Sequence, residues 1–355
     1  MTTGVGISGV GVALPRTRLA TREVHRVWAN LPWAVVERAG VVERTVCEPD
    51  MDSLTLSADA ARRALRSADV ETVDAVFLGT QTSPYLSRAS AGVLVDVLGV
   101  GPNVFSVDVQ FAGKSGTSAM LMASAWVASG FGVRALAIGS DTLGVHAAPG
   151  DPFEYGAGSG AAAFVVDRDA RLATLERVAS FTSDTPDGYR LDGERYFHRG
   201  GTTMTVTDVG YPAHARGAWA DLTRGAGLAA GEPVDHLVLQ QPDAAQPKRI
   251  AAMLGAPPSA LDGCVLSDRI GDTGAASPLL ALARTLTFAS AGDRVGVVSY
   301  GVGAGSDALL LHAVAQPPPT GLDELIDQGV VVDYATAVRY ERRYQTHPRL
   351  VSTFE

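Results

Sequence analysis

A chain of 355 residues with 46% hydrophobic residues, 39 glycines and a net charge of −9 has the composition of a compact α/β protein, and its acidity argues against nucleic acid or an anionic membrane as the main partner. Its two cysteines, Cys47 and Cys264, show no metal-ligand spacing and suggest a reducing compartment. The opening MTTGVGISGVGVALP has no basic region and no long apolar run, and nothing approaches the ~20 apolar residues of a spanning helix, so a soluble cytoplasmic protein without a signal peptide is expected.

In chain order, Val5 to Leu14 alternates into a strand that ends at Pro15, and the charged segment Arg22 to Arg44 contains helix. Ser53 to Ala68 has helical spacing through Leu54, Leu56, Ala60, Ala64 and Leu65. Ala75 to Leu78 is an apolar strand running into Gly79-Thr80-Gln81, and Ser90 to Leu98 is a further helix. The stretch Ser106 to Gly130 is the centre of the chain. Val107, Val109 and Phe111 alternate into a short strand, Ala112 to Gly116 make a glycine turn, and Thr117 to Ser129 form an apolar helix stopped by Gly130. A helix apolar all round is buried on all sides. The free N–H groups at such a helix start can stabilise a developing negative charge. Enzymes often place a nucleophile there, yet this turn offers Gly113 and Ser115 and no cysteine. Arg134 to Ile138 and Ala161 to Val166 are strands, and the polar segment 181–207 is expected to be loop and lid.

The chain then repeats itself. Leu237 to Leu239 runs into Gln240-Gln241, as the earlier strand runs into Thr80-Gln81. Val265 to Ser290 repeats strand, glycine turn and small-residue helix, with Gly271-Asp272-Thr273-Gly274 over Gly113-Lys114-Ser115-Gly116. Arg294 to Ser299 repeats Arg134 to Gly139, and Ala308 to His312 repeats the strand at Ala161. A displacement held over several elements predicts two α/β halves, 1–170 and 171–316, packed pseudo-symmetrically with a site where the two turns meet. Pro317-Pro318-Pro319 separates a tail, 317–355, carrying Tyr334, Arg339, Tyr340, Arg342, Arg343 and Tyr344. That cluster reads either as a solvated helix or, more sharply, as a docking segment, since tyrosine and arginine are enriched at interfaces.

These motifs resemble the thiolase superfamily, the condensing enzymes that include ketoacyl-carrier-protein synthase III and 3-hydroxy-3-methylglutaryl-CoA synthase. The resemblance spans nearly the whole chain. It is specific at Phe111-Ala112-Gly113-Lys114-Ser115-Gly116-Thr117, at Glu154-Tyr155-Gly156-Ala157-Gly158, at Gly274-Ala275-Ala276-Ser277 and at Tyr300 to Asp307. It implies a five-layer αβαβα sandwich of two pseudo-symmetric halves. It also implies a cysteine at the central turn that takes the acyl group, a histidine, and an asparagine or second histidine that stabilise charge. Matched residue by residue, the cysteine position is Gly113, the histidine position is Gln240 and the asparagine position is Asp272. Glycine cannot be acylated, and glutamine is no acid or base near neutral pH.

The same departures, with VQFAGKSGTSA, a Gln-Gln pair, GDxGAASPLL and SYGxGAGSDA, resemble the synthase-like subunits of bacterial monoacetylphloroglucinol acetyltransferases. That resemblance implies a complex in which a thiolase-like subunit carries the catalytic cysteine and a small OB-fold protein bridges the two. Archaeal 3-hydroxy-3-methylglutaryl-CoA synthases resemble the chain too, and use a similar three-part assembly. The expectation is therefore a non-catalytic scaffold for carbon acylation of a phloroglucinol-like aromatic, also self-associating, with no cofactor and no metal. The alternative is a self-sufficient acyl-CoA condensing enzyme with an atypical nucleophile. Lys114, Ser115 and Gly303 are the remaining candidates near the turn. Ser115 is expected to cap the helix rather than attack, Lys114 to pair with a carboxylate, and Gly303 to serve a tight backbone passage. His146, His198 and His214 form no metal pattern and receive no role.

Overall fold

Strand-forming runs recur along the chain, and the computed structural model, which describes residues 4–185, 188–199, 209–226, 234–303 and 305–344, shows how they pair. In chain order the strands are β1 (Gly6–Ala13), β2 (Thr17–Ala20), β3 (Glu43–Val46), β4 (Ala75–Gly79), β5 (Phe105–Val109), β6 (Arg134–Thr142) and β7 (Ser159–Asp167). There follow β8 (Ala173–Thr182), β9 (Gly188–Tyr189), β10 (His198–Arg199), β11 (His236–Leu239), β12 (Arg294–Val298), β13 (Gly305–Ala313) and β14 (Val330–Val332). Nine of these make one sheet in the order β11-β12-β13-β8-β1-β7-β6-β4-β5. Counted outward from its middle, the sheet repeats itself. β1–β7 and β7–β6 are antiparallel, then β6–β4 and β4–β5 parallel. On the other side β8–β13 and β13–β12 are antiparallel and β12–β11 parallel. The seam between the two sides is short: β1 meets β8 only through Gly6 with Thr174 and Ile7 with Ala173.

Among the described residues the second side has no counterpart of β5. Where the sequence suggests a strand at Val265, the chain instead enters the short helix Ser267–Ile270. The reason is a side chain. Gln241 Oε1 accepts from the amides of Leu266 and Ser267, and its Nε2 donates to the Cys264 carbonyl at 2.7 Å. A buried glutamine thus takes the backbone groups that a neighbouring strand would have paired.

Two central helices, Ser115–Ser129 and Ser277–Phe288, each follow a single 3₁₀ turn, Ala112–Lys114 and Gly274–Ala276 respectively. The match therefore sets Gly113 against Ala275, and the alignment of Gly271–Gly274 on Gly113–Gly116 is corrected. Gly274 has φ +57° and runs against the Asp141 carboxylate, where a side chain would collide, so it is a passage residue ahead of the helix proper. The two turns touch closely. A Cβ on Gly116 would overlap the Ala275 carbonyl oxygen, so the helix starts meet backbone to backbone.

The expectation that the first helix is buried all round also fails. Met122 is 39% exposed, and Ala125 and Ala128 face outward, because β5 beside the helix is the last strand of the sheet. The second helix lies inside the fold, with Ser277 to Ala283 all buried.

The tail is part of the fold as far as it is described. β14 adds parallel to β2 through Val330–Thr17, Val331–Arg18 and Val332–Leu19. Beyond it, Glu341 and Arg343 have fully buried side chains. Arg44 donates to Glu341 with both terminal nitrogens, at 2.7 and 3.0 Å. Arg343 contacts Glu341 Oε2 at 2.9 Å and donates to Glu154, while Tyr334 donates to Glu154 at 2.8 Å and accepts from Trp28 Nε1 at 2.7 Å. Of the cluster expected to dock, Tyr334 and Arg343 are committed within the chain, while Arg339, Arg342 and Tyr344 are exposed. Residues 345–355 of the expected docking segment lie outside the described residues, as do 186–187 and 200–207 of the expected lid. No helix among the described residues is long and apolar enough to cross a membrane.

Candidate functional site

Because β4, β5 and β6 run parallel and β11 enters from the other side, their carboxyl ends deliver loops to the place where the two turns meet. There the structure brings Gly113, Gln240 and Asp272 together. A Cβ placed on Gly113 would lie 2.6 Å from the Tyr300 carbonyl oxygen and 3.0 Å from Gln240 Nε2. The room in which a side chain would start is already filled. Gln240 is 3% exposed. Its Nε2 donates to the Gly274 carbonyl at 2.9 Å and its Oε1 accepts from the Tyr300 amide at 3.4 Å. Asp272 accepts from the Gly274 amide at 2.9 Å and lies 3.9 Å from the Arg199 guanidinium. Burial raises its carboxyl above the usual range, with Arg199 and the Gly274 amide pulling it back.

The neighbouring candidates are equally occupied. Ser115 is fully buried and donates to the Ala112 carbonyl at 2.8 Å, closing the turn. Lys114 lies 4.5 Å above the Phe111 ring centroid and donates to Asp307 Oδ1 at 2.7 Å. Asp307 also accepts from Ser180, Thr117 and Ser118, so the lysine charge is neutralised in a satisfied cluster. Gly303, with φ +95°, turns beside the Gly188 carbonyl and brings no functional group.

Two residues central to this geometry carry no signal in the sequence analysis. Asp141, at the end of β6, accepts from Thr80, Thr82, both nitrogens of Gln81 and the Ala275 amide. Burial still pushes it up to about 6. Arg199, on β10, lies over the Phe153 ring at 3.7 Å and faces Asp272. The polar run Ser140-Asp141-Thr142 closing an apolar strand was the available cue for the first; the second sits in a stretch without periodicity.

A cavity of about 920 Å³ opens next to the turn, lined by Gln81, Phe111, Ala112, His146, Arg199 and Glu341 among others, with the β9–β10 hairpin beside it. Ala112 is among its walls, and Gly113, Gln240 and Asp272 are not. Arg199 stands between the open space and Asp272. No cluster of three metal-ligating side chains occurs among the described residues.

His146 on the cavity wall gives the site a pH signature. Its Nδ1 donates to the Arg195 carbonyl at 2.8 Å. Burial pushes the imidazole down to about 4, and Arg190 and Arg195 add to this against that hydrogen bond. The unfolded chain takes up a proton near pH ~6.5 while the folded one does not. Its contribution to stability is therefore complete above that pH and falls away as pH drops toward 4. His146→Gln keeps a donor for Arg195, and should flatten the decline of the urea midpoint across this window. An unchanged slope would remove His146 as its source.

No family model matches the chain. The chain is similar to the hydroxymethylglutaryl-CoA synthase of Methanosphaera stadtmanae, with 35% identity over 344 residues, 95% of this chain and 98% of that one. Against the synthase of Methanopyrus kandleri it is 34% identical, over 96% and 97% of the two chains. A solved hydroxymethylglutaryl-CoA synthase complexed with CoA superposes with a TM-score of 0.87 at 21% identity, covering 98% of this chain and 92% of that one. The 3-oxoacyl-(acyl carrier protein) synthase III of Pseudomonas aeruginosa PAO1 superposes at 0.79 with 22% identity, covering 89% and 99%. The fold is thus thiolase-like.

Proposed function

The chain belongs to the hydroxymethylglutaryl-CoA synthase family of thiolase-fold, acyl-CoA condensing proteins, and from that premise we propose that it is a member that has given up the chemistry and works as a scaffolding subunit. One observation carries this: the origin of the nucleophile's side chain is occupied by Gln240 and the Tyr300 backbone. A condensing site needs a thiolate at the helix start, a proton carrier facing it and donors for the developing anion. Here the first is a glycine without room, the second an amide, and the third a carboxylate. Ser115 and Lys114 offer no substitute, since each is spent on an internal partner.

The motif resemblance supports the finer assignment. The chain serves a multicomponent, carbon-acylating acetyltransferase of secondary metabolism that acts on a phloroglucinol-like aromatic. A thiolase-like subunit supplies the cysteine, a small OB-fold protein bridges, and this chain self-associates within the complex without a cofactor. The test is reconstitution. Co-expression with a cognate thiolase-like subunit and OB-fold protein should yield one assembly by size-exclusion chromatography with light scattering. Acetyl transfer should require this chain and survive Ser115→Ala. Full activity from the partners alone would end the scaffold proposal. The rival, a self-sufficient condensing enzyme, is favoured by the activity named for the relatives. It requires turnover by this chain alone from acyl-CoA substrates.

A further inference from the structure

Outside the filled turn, the fold holds one serine against an oriented imidazole. Ser183 follows the end of β8, and His214 lies in the first turn of the helix Tyr211–Ala226. Ser183 Oγ is 2.8 Å from His214 Nε2, and His214 Nδ1 is 2.8 Å from the Gly210 carbonyl oxygen. A carbonyl can only accept, so the ring proton sits on Nδ1 and the Nε2 lone pair faces the serine hydroxyl. The ring is held there. His214 is 1% exposed, edge-on to Phe181 at 5.5 Å and tilted against Tyr300 at 5.8 Å. Ser183 itself is exposed, and Phe181 beside it shows 41% of its surface. Nucleophile, base and a third group that orients the base are the elements of an activated serine. Here a backbone carbonyl fills the third place.

We propose that Ser183 and His214 form a nucleophile–base pair that accepts an acyl group from a small aryl ester. Nε2 takes the hydroxyl proton as Oγ bonds to the ester carbonyl carbon. The carbon–aryloxide bond then breaks, and the Nε2 proton passes to the departing aryloxide, leaving an acyl ester on Ser183. The exposed Phe181 ring offers the aryl group an apolar face next to the serine. This activity is independent of the scaffold proposal, since neither residue belongs to the filled turn.

The probe is 4-nitrophenyl acetate with the full chain, read by nitrophenolate release and by intact-mass and peptide mapping. One acetyl group per chain is expected on Ser183. Ser183→Ala should abolish that adduct while the chain still unfolds in one cooperative transition, because the serine itself is exposed. His214→Gln should slow labelling by about 100-fold, the lower end of what a positioned base supplies. Should that variant fail to fold, the wild-type chain in concentrated urea serves instead, and must lose the selective labelling of Ser183. Labelling of Ser183 as fast without His214, or as fast in urea, overturns the pair. So does an absence of acetyl on Ser183 in the native chain. An adduct on Ser115 or Lys114 would count against the scaffold proposal and leaves this pair to be judged on Ser183 alone.

Discussion

Deleting residues 320–355 is expected to unfold the chain rather than to trim a peripheral segment from it. The deletion takes Glu341 from Arg44, and both Arg343 and Tyr334 from Glu154. Arg44 and Glu154 have fully buried side chains in the intact chain, so each would lose its counter-charge together with part of the cover that keeps water out. Stripping the partner from a buried charge costs about 3–5 kcal/mol, and two such losses rival the whole stability of an ordinary domain at about 5–15 kcal/mol. β14 goes as well and uncovers the edge of β2. Circular dichroism and a thermal melt of the truncated chain check this. A cooperative transition near the wild-type midpoint would show that the network contributes little. Glu341→Gln tests the same point more gently. It keeps the shape and removes the charge between Arg44 and Arg343, and a loss of about 3 kcal/mol is expected.

Gly113→Cys should fail as a synthase and weaken the fold at the same time. The new Cβ meets the Tyr300 carbonyl oxygen at 2.6 Å. That atom belongs to the backbone and cannot swing aside as a side-chain end would. Overpacking of this kind costs about 1–3 kcal/mol. Gly113→Ala should lose nearly as much, because the clash lies at Cβ and not at the sulfur. A thiol that did fit would face Gln240, which carries no proton to exchange, and Asp272, whose charge opposes an anion forming nearby. Incubation with acetyl-CoA followed by mass spectrometry should find no condensation product from the single variant. Efficient turnover would show that the two remaining departures matter less than the missing thiol.

Most of the architecture was legible in the sequence because periodicity and glycine turns are local signals. The apolar runs into Thr80-Gln81 and into Gln240-Gln241 are the ends of β4 and β11, which hold corresponding places on the two sides of the sheet. That Gly113 brings no side chain to the turn was legible too. What escaped depends on distant partners. Val265 does not extend because Gln241, far back in the chain, takes its neighbours' backbone groups. Composition marks Tyr334 and Arg343 as sticky but is silent on Glu154, with which both are paired. Arg199 lies in a run with no period at all, so nothing pointed to its place beside Asp272.

The Arg44–Glu341 contact joins residues 297 positions apart, and that separation has a meaning during synthesis. At about 5–20 residues per second, roughly 15–60 s pass between the making of Arg44 and the making of its counter-charge. Over that interval the emerging chain carries an arginine, and from residue 154 onward a glutamate, that its interior cannot yet accept. The first side of the sheet is therefore expected to finish packing around Arg44 only once residue 341 has been made. A premature stop shortly before Glu341 should accordingly surface in the cell as proteolytic loss of the polypeptide.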